Sequence, residues 1–193
     1  MTTLLLARHG ETDWNRDGRW QGHADPPLNA LGRAQAEDLA GSVASRGVTA
    51  LYASDLRRSS ETARIVGAAL GLPVTTDAEL REIDVGEWSG LTTPEVARRF
   101  PDGLQRHRAG GDGWVEGETH AAMQRRVVAA ARRIAAWHDG ETVLCVTHGG
   151  AIRALLADAE GISLTEFRRT RPALANAELA AIALGNGRAR RLD

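Results

Sequence analysis

Residues 3–15 read TLLLARHGETDWN, and this stretch decides the fold. It consists of a short apolar run, TLLLA, followed by the polar, turn-like segment RHGETDWN. Such a run predicts a strand that is buried on both faces of a parallel sheet. The loop after a strand of this kind is open to solvent. We therefore expect Arg8 and His9, which begin the loop, at the rim of the sheet.

Strands and helices alternate outward from this stretch. Apolar runs predict further strands at 51–54, 74–76 and 142–147, and a last one at 178–184, at the sheet edge. Helical spacing and capping residues predict helices at 29–46, 57–70, 92–100, 119–137 and 151–159. Residues 101–117 contain one Pro and five Gly, which predicts a mobile loop or lid. This order is typical of a three-layer α/β/α sandwich with a mainly parallel central sheet.

Length and composition favour a single globular domain and argue against several other classes of protein. A chain of 193 residues suits one domain, which we expect to span residues 1–193. The net charge of −1 argues against nucleic acid or an anionic membrane as partner. The single cysteine, Cys145, excludes an internal disulfide framework. The N-terminal run LLLA is too short to span a membrane and follows no charged segment, so a cytoplasmic protein is expected.

The segments that contain the candidate arginines and histidines all follow predicted strands. Arg8 and His9 follow the first strand, Arg57 or Arg58 the second, and His148 the strand ending at residue 147. In folds of this class, ligands bind at the carboxyl ends of the strands. Arginine binds phosphate through planar, charge-assisted hydrogen bonds. The placement therefore predicts a phosphate cradle.

His9 is the candidate nucleophile of this cradle. A neutral imidazole nitrogen can attack phosphorus, and the ordinary pKa of histidine, near 6.5, leaves a neutral fraction at pH 7. Gly10 allows the backbone to come close to the transferred group, and N–H groups of the turn are expected to form an anion nest. The Asn15 side chain can donate to a phosphate oxygen.

A phosphate monoester also needs an acid that protonates its leaving group. The carboxylates in suitable segments are Glu11, Asp13, Glu82 and Asp84, and their spacing alone does not choose among them. Four tryptophans near the rim loops are expected to pack those loops onto the domain, with a pocket lining as the alternative: Trp14, Trp20, Trp88 and Trp114.

Five segments together resemble the histidine phosphatase superfamily, the phosphoglycerate mutase-like clan, and most of all its short bacterial phosphatase branch. They are ARHGET at 7–12, WQGHADPPLNALGRAQA at 20–36, SDLRRSSETA at 54–63, LREIDVGEWSG at 80–90 and VTHGGAIRALL at 146–156. The resemblance implies that His9 carries the phosphoryl group, that Arg58 rather than Arg57 is the second arginine, and that Glu82 is the acid. It further implies that no metal or other cofactor is needed. The catalytic set would be Arg8, His9, Arg58, Glu82 and His148, and the phosphate and substrate contacts Arg8, Asn15, Gln21, Gly22, Arg58, His148 and Gly149.

The chain departs from this family around VEGET at 115–119, which leaves the role of Glu118 open. The segment between Glu82 and this motif is short compared with that of the mutases, which favours hydrolysis of a small phosphorylated substrate. Three alternatives are a phosphoglycerate mutase-type transferase, a phosphate-binding module without activity, and a metallohydrolase. The last is disfavoured because none of the six histidines has metal-ligand spacing. An edge strand near the C-terminus would allow a homodimer.

Overall fold

A computed structural model describes residues 1–185 and 187–192 and contains one six-stranded sheet. The strands are β1 Thr2–Arg8, β2 Val48–Ala53, β3 Val74–Thr76, β4 Thr142–Thr147, β5 Leu179–Gly185 and β6 Arg188–Arg191. Their order across the sheet is β3-β2-β4-β1-β5-β6. The first four of these strands run parallel, whereas β5 and β6 pair antiparallel. The predicted mainly parallel sheet is confirmed.

Helices cover both faces of the sheet. They are α1 Asp13–Arg16, α2 Ala30–Val43, α3 Arg57–Leu70, α4 Thr93–Arg99, α5 Pro101–Arg108, α6 His120–Trp137, α7 Gly149–Glu160 and α8 Leu164–Thr170. Two short 3-10 helices, Ala78–Leu80 and Gly86–Trp88, connect β3 to α4. No described helix is long and apolar enough to cross a membrane.

Strand β1 shows why the domain has three layers. Leu4 and Leu6 belong to a core cluster shared with α6 and α7, whereas Leu5 and Ala7 belong to a second cluster shared with α2 and α3. Successive side chains of a strand point to opposite faces, so an unbroken apolar run fills a core on each side. The run TLLLA thus specifies a strand covered on both faces.

Two local expectations are corrected. The predicted loop at 101–117 begins with helix α5, because Pro101 occupies its first turn, where a missing N–H is tolerated. The remainder is held by the Glu87 carboxylate, which accepts from the backbone N–H groups of Val115 (2.8 Å) and Glu116 (3.2 Å). The edge prediction for residues 178–184 was also wrong: β5 lies between β1 and β6, and β6 forms the edge.

The burial of side chains in the two core clusters leads to a prediction about stability. Leu144 is fully buried in β4, whereas Leu31 on α2 is 53% exposed. Leu144→Ala should lower the free energy of unfolding by about 2–5 kcal/mol, because it removes buried methyl groups and leaves a cavity. Leu31→Ala, the matched control, should change it by less than about 0.5 kcal/mol. Urea unfolding measures both values, and equal effects would contradict this description of the core.

Candidate active site

The backbone brings three chain segments together at the carboxyl ends of the central strands. Strand β4 pairs in parallel with both β1 and β2, so the carboxyl ends of all three lie together. The pairing extends past the strands, since the His9 N–H donates to the Thr147 carbonyl and the Ser54 N–H to the Val146 carbonyl, both at 3.0 Å. His9 and the segments that carry Arg58 and His148 are therefore fixed relative to each other.

A cavity of about 330 Å³ opens at these strand ends. Eight of the nine site residues predicted from the sequence line it: Arg8, His9, Asn15, Gln21, Gly22, Arg58, Glu82 and Gly149. The ninth, His148, is fully buried, and its ring packs edge-on against that of His9 with 5.2 Å between the ring centroids. All nine residues thus lie in or against one cavity.

The tautomer of His9 is set by its own backbone. Its Nδ1 lies 2.7 Å from the carbonyl oxygen of Gly10. A carbonyl can only accept a hydrogen bond, so Nδ1 carries the hydrogen and Nε2 keeps its lone pair. Burial, reinforced by the positive charges of Arg58 and Arg8, holds the pKa of His9 well below its ordinary value. The ring is therefore neutral at pH 7, as a nucleophile must be.

The predicted anion nest after His9 was wrong, because the N–H groups of the turn already have partners. Gly10 donates to Thr62 Oγ1 (3.0 Å) and Glu11 to the Gln35 side chain (2.8 Å). Gly10 has a different role. A Cβ at this position would lie 2.2 Å from the carbonyl oxygen of Gly32, so only glycine allows the two backbones to approach.

Arg8 and Arg58 supply positive charge without an ion-pair partner among the described residues. Arg8 Nη1 donates to the Leu174 carbonyl (2.6 Å), and Arg58 donates to the carbonyls of Ala24 (2.7 Å) and Gly22 (2.9 Å). The Nε atoms of both guanidinium groups are buried and have no hydrogen-bond partner in the described chain. Burial lowers the pKa of Arg58 to about 10, so it remains a cation at pH 7. Two such groups fit a bound dianion.

Neutral polar groups complete this half of the cavity. The Asn15 carbonyl oxygen accepts from the N–H (3.1 Å) and hydroxyl (3.0 Å) of Thr12. Asn15 lines the cavity, and with its oxygen engaged its amide nitrogen is the group that can donate to a ligand. Gly22, expected as a phosphate contact, acts through its carbonyl on Arg58.

Glu82 is the only one of the four candidate acids that lines the cavity. Its Oε1 accepts from the Ile83 N–H (2.9 Å) and its Oε2 from the Gly150 N–H (3.0 Å). The others are engaged elsewhere: Glu11 with Asn29, Asp13 with Arg16, and Asp84 with the Gly86 N–H. Of the four carboxylates, Glu82 is therefore the one placed to contact a ligand in this cavity.

Glu118 orients the chain segment that carries Glu82. Its two carboxylate oxygens accept from Arg126 at 2.8 and 2.7 Å. Arg126 also donates to the carbonyl of Glu82 (2.8 Å) and to those of Glu79 and Arg81 (2.8 Å each). Glu118, whose role the sequence left open, therefore supports the Glu82 segment from outside the cavity.

Sequence reasoning found only part of the aromatic half of the cavity: of the four tryptophans it considered as a pocket lining, Trp20 and Trp114 line the cavity, whereas His107 and His120 were not considered. Trp20, Trp114, His107 and His120 line it, while Trp88 is buried beneath them. Burial lowers the pKa of His107 to about 4, so this ring is neutral at pH 7. Two further arginines, Arg153 and Arg168, also line this cavity. Arg153 could have been found from its position on the helix that follows HGG, whereas Arg168 lies on α8, which the sequence pattern did not predict.

Comparisons with known proteins agree on one family. The model described as the histidine phosphatase superfamily (branch 1) matches residues 4–192. Phosphoserine phosphatase 1 of Hydrogenobacter thermophilus is 33% identical over 176 residues, 86% of this chain and 80% of that protein. Probable phosphoglycerate mutase GpmB of Yersinia enterocolitica is 38% identical, with 89% and 80% covered. The solved structure of Bacillus stearothermophilus YhfR has a TM-score of 0.92 at 34% identity and covers 99% of this chain and 95% of that one.

Neighbouring arginines provide a matched test of the anion site. Arg58 is 1% exposed and faces the cavity, whereas the Arg57 side chain is exposed outside it. Arg58→Gln should weaken binding of inorganic phosphate at least about tenfold, since a charge-assisted hydrogen bond contributes roughly 1.5–3 kcal/mol. Arg57→Gln should bind phosphate like the wild type. Calorimetric titration measures both, with circular dichroism as the check on folding. Unchanged affinity in a folded Arg58→Gln protein would contradict the assignment.

Proposed function

Because the chain belongs to the histidine phosphatase superfamily, we propose that it hydrolyses a small phosphate monoester through a phosphohistidine intermediate on His9. One observation carries this proposal. The His9 ring is neutral, its Nδ1 is hydrogen-bonded to Gly10, and its free Nε2 lies in a cavity with two arginines that no described carboxylate pairs.

In the first step, His9 Nε2 attacks phosphorus with its lone pair. An N–P bond forms as the bond from phosphorus to the ester oxygen breaks. Arg8 and Arg58 stabilise the charge on the three remaining phosphoryl oxygens. The Glu82 carboxyl group donates its proton to the departing oxygen, which leaves as an alcohol. This step requires Glu82 to hold a proton when the monoester is bound.

In the second step, water replaces the histidine. The Glu82 carboxylate takes a proton from a water molecule, whose oxygen attacks phosphorus while the N–P bond breaks. Inorganic phosphate leaves, His9 regains its Nε2 lone pair, and Glu82 is again protonated. One carboxyl group thus serves as acid and then as base.

Gly150 keeps Glu82 in place for both steps. Its N–H holds Oε2, and a Cβ at this position would lie 2.2 Å from Glu82 Oε1. Any larger residue would therefore displace the carboxyl group. The second glycine of HGG acts on the acid rather than on the phosphate.

Hydrolysis is preferred over transfer back to a substrate hydroxyl. The similar proteins include both a phosphatase and a probable mutase, so family membership alone does not choose between them. The short segment after Glu82 supports hydrolysis, because fewer groups remain to retain the first product and exclude water. We propose that no cofactor takes part, since Arg8 and Arg58 already supply the charge stabilisation that phosphoryl transfer needs. The cytoplasmic location, the homodimer and the single domain at 1–193 stay predictions.

Trapping of the intermediate tests the proposal. Wild-type protein mixed with p-nitrophenyl phosphate labelled at phosphorus and quenched early should carry acid-labile, base-stable label and release inorganic phosphate. His9→Ala should carry no label and show no turnover, because the nucleophile is gone. His138→Gln is the matched control, since His138 contacts Tyr52 and Glu141 outside the cavity and should retain both signals.

Three other outcomes would contradict the proposal. Label on the wild-type protein without phosphate release would indicate a transferase. Phosphate binding with neither label nor turnover would indicate a binding module. Turnover that a chelator abolishes and added metal restores would indicate a metallohydrolase.

A further inference from the structure

Two arginines in the cavity are not used by the proposed reaction. Arg153 lies on α7 and Arg168 on α8, and both line the cavity that contains His9. Arg168 Nη2 lies 3.2–3.3 Å from the His107 ring nitrogens, in the aromatic half. Burial lowers the pKa of Arg8 and of Arg168, and the positive charge of Arg153 lowers both further. Arg153 is therefore close enough to interact with both.

Among the described residues, neither arginine has the carboxylate partner of a structural arginine, although Arg168 Nη1 donates to the Gly110 carbonyl at 3.5 Å. The Nε atom of Arg153 is buried without a partner in the described chain, and no described carboxylate lies within ion-pair distance of Arg153 or Arg168. Arg126, by contrast, is bonded to the Glu118 carboxylate and to three carbonyls. A buried donor without a partner is unfavourable. A ligand that supplied an acceptor would remove this penalty.

The charge inside the cavity exceeds what one phosphoryl group needs. Its lining contains five arginines, namely Arg8, Arg19, Arg58, Arg153 and Arg168, and one carboxylate, Glu82. These side chains contribute a net charge of +4 when Glu82 is ionised. Arg19 is partly compensated by Glu95 at 3.6 Å, but a dianionic phosphoryl group still leaves positive charge uncompensated.

Arg153 lies on the same helix as the backbone N–H that holds Glu82. Glu82, the proposed proton donor to the leaving group, is held by the N–H of Gly150. Gly150 and Arg153 are three residues apart on α7, so they share one face of the helix. Arg153 therefore lies on the side of the cavity from which Glu82 would protonate a leaving group.

We propose that Arg153 and Arg168 bind a second anionic group, a carboxylate or a second phosphate, on the leaving-group part of the substrate. This inference rests on the proposed function and narrows its substrate class to small monoesters with two anionic ends. The neutral rings of His107 and Trp114 line the same half of the cavity without competing for the anion.

Three substrates of equal chain length test the subsite: 3-phosphooxypropanoate, propane-1,3-diol bisphosphate and the neutral counterpart 3-hydroxypropyl phosphate. Wild-type kcat/KM should be at least about tenfold higher for one or both of the first two, as a charge-assisted hydrogen bond implies. A higher kcat/KM for 3-phosphooxypropanoate indicates a carboxylate site, and a higher kcat/KM for propane-1,3-diol bisphosphate indicates a site for a second phosphate. Phosphate release measures all three, with p-nitrophenyl phosphate as the reference.

Substitutions then assign the preference to residues. Arg168→Gln and Arg153→Gln should each reduce the preference about tenfold. Each substitution should lower kcat/KM for the substrate with the second anionic group more than for 3-hydroxypropyl phosphate, which has no charge for these arginines to bind. Arg169→Gln is the matched control, since Arg169 is exposed on the same helix and should leave the preference unchanged.

Failure of the subsite and failure of the proposed function give different results. Turnover of p-nitrophenyl phosphate with equal kcat/KM for the three test substrates would overturn the subsite and leave the proposed function standing. A preference that survives both arginine substitutions would also overturn it. Absence of turnover on every substrate would overturn the proposed function, and this inference with it.

Discussion

The hydrogen bond between His9 Nδ1 and the Gly10 carbonyl determines what the imidazole can do. It fixes the hydrogen on one nitrogen, so the other keeps a lone pair directed to the cavity. Burial and two nearby cations keep the ring neutral. The bond in turn depends on the path of the backbone, which approaches Gly32 so closely that residue 10 must be glycine. The sequence His-Gly after β1 is therefore one structural unit.

The second constraint is that Arg8 and Arg58 are held by neutral acceptors. Backbone carbonyls of Leu174, Ala24 and Gly22 accept their hydrogen bonds. A carboxylate would hold an arginine equally well, but it would neutralise the charge that a phosphoryl group needs. Carbonyls fix the guanidinium groups and leave their charge in place. Burial lowers the pKa of His9 most, and the charge of these two arginines lowers it further, so the groups that would bind the anion also help to keep the imidazole neutral.

The sequence predicted those features that depend on local pattern, and missed those that depend on packing. The apolar run at β1 and the capping box of α4 are local signals, and the structure confirms both elements. Family motifs identified the residues that now surround the cavity. Helix α5 was missed because Gly103 packs against the carbonyl of Gly113, a contact between distant backbones that composition does not show. Arg168 was missed for a similar reason, since the approach of α8 to the cavity is set by tertiary packing.

The protonation state of His9 is the most direct test of this account. Nitrogen NMR of protein labelled with ¹⁵N-histidine, with the resonance assigned by comparison with His9→Gln, reports both ring nitrogens between about pH 5 and 7, a range that spans the ordinary histidine pKa. We predict a neutral ring with hydrogen on Nδ1 and an unprotonated Nε2 throughout this range, because the pKa is held well below its ordinary value. An imidazolium that titrates near 6.5, or a hydrogen on Nε2, would contradict the account.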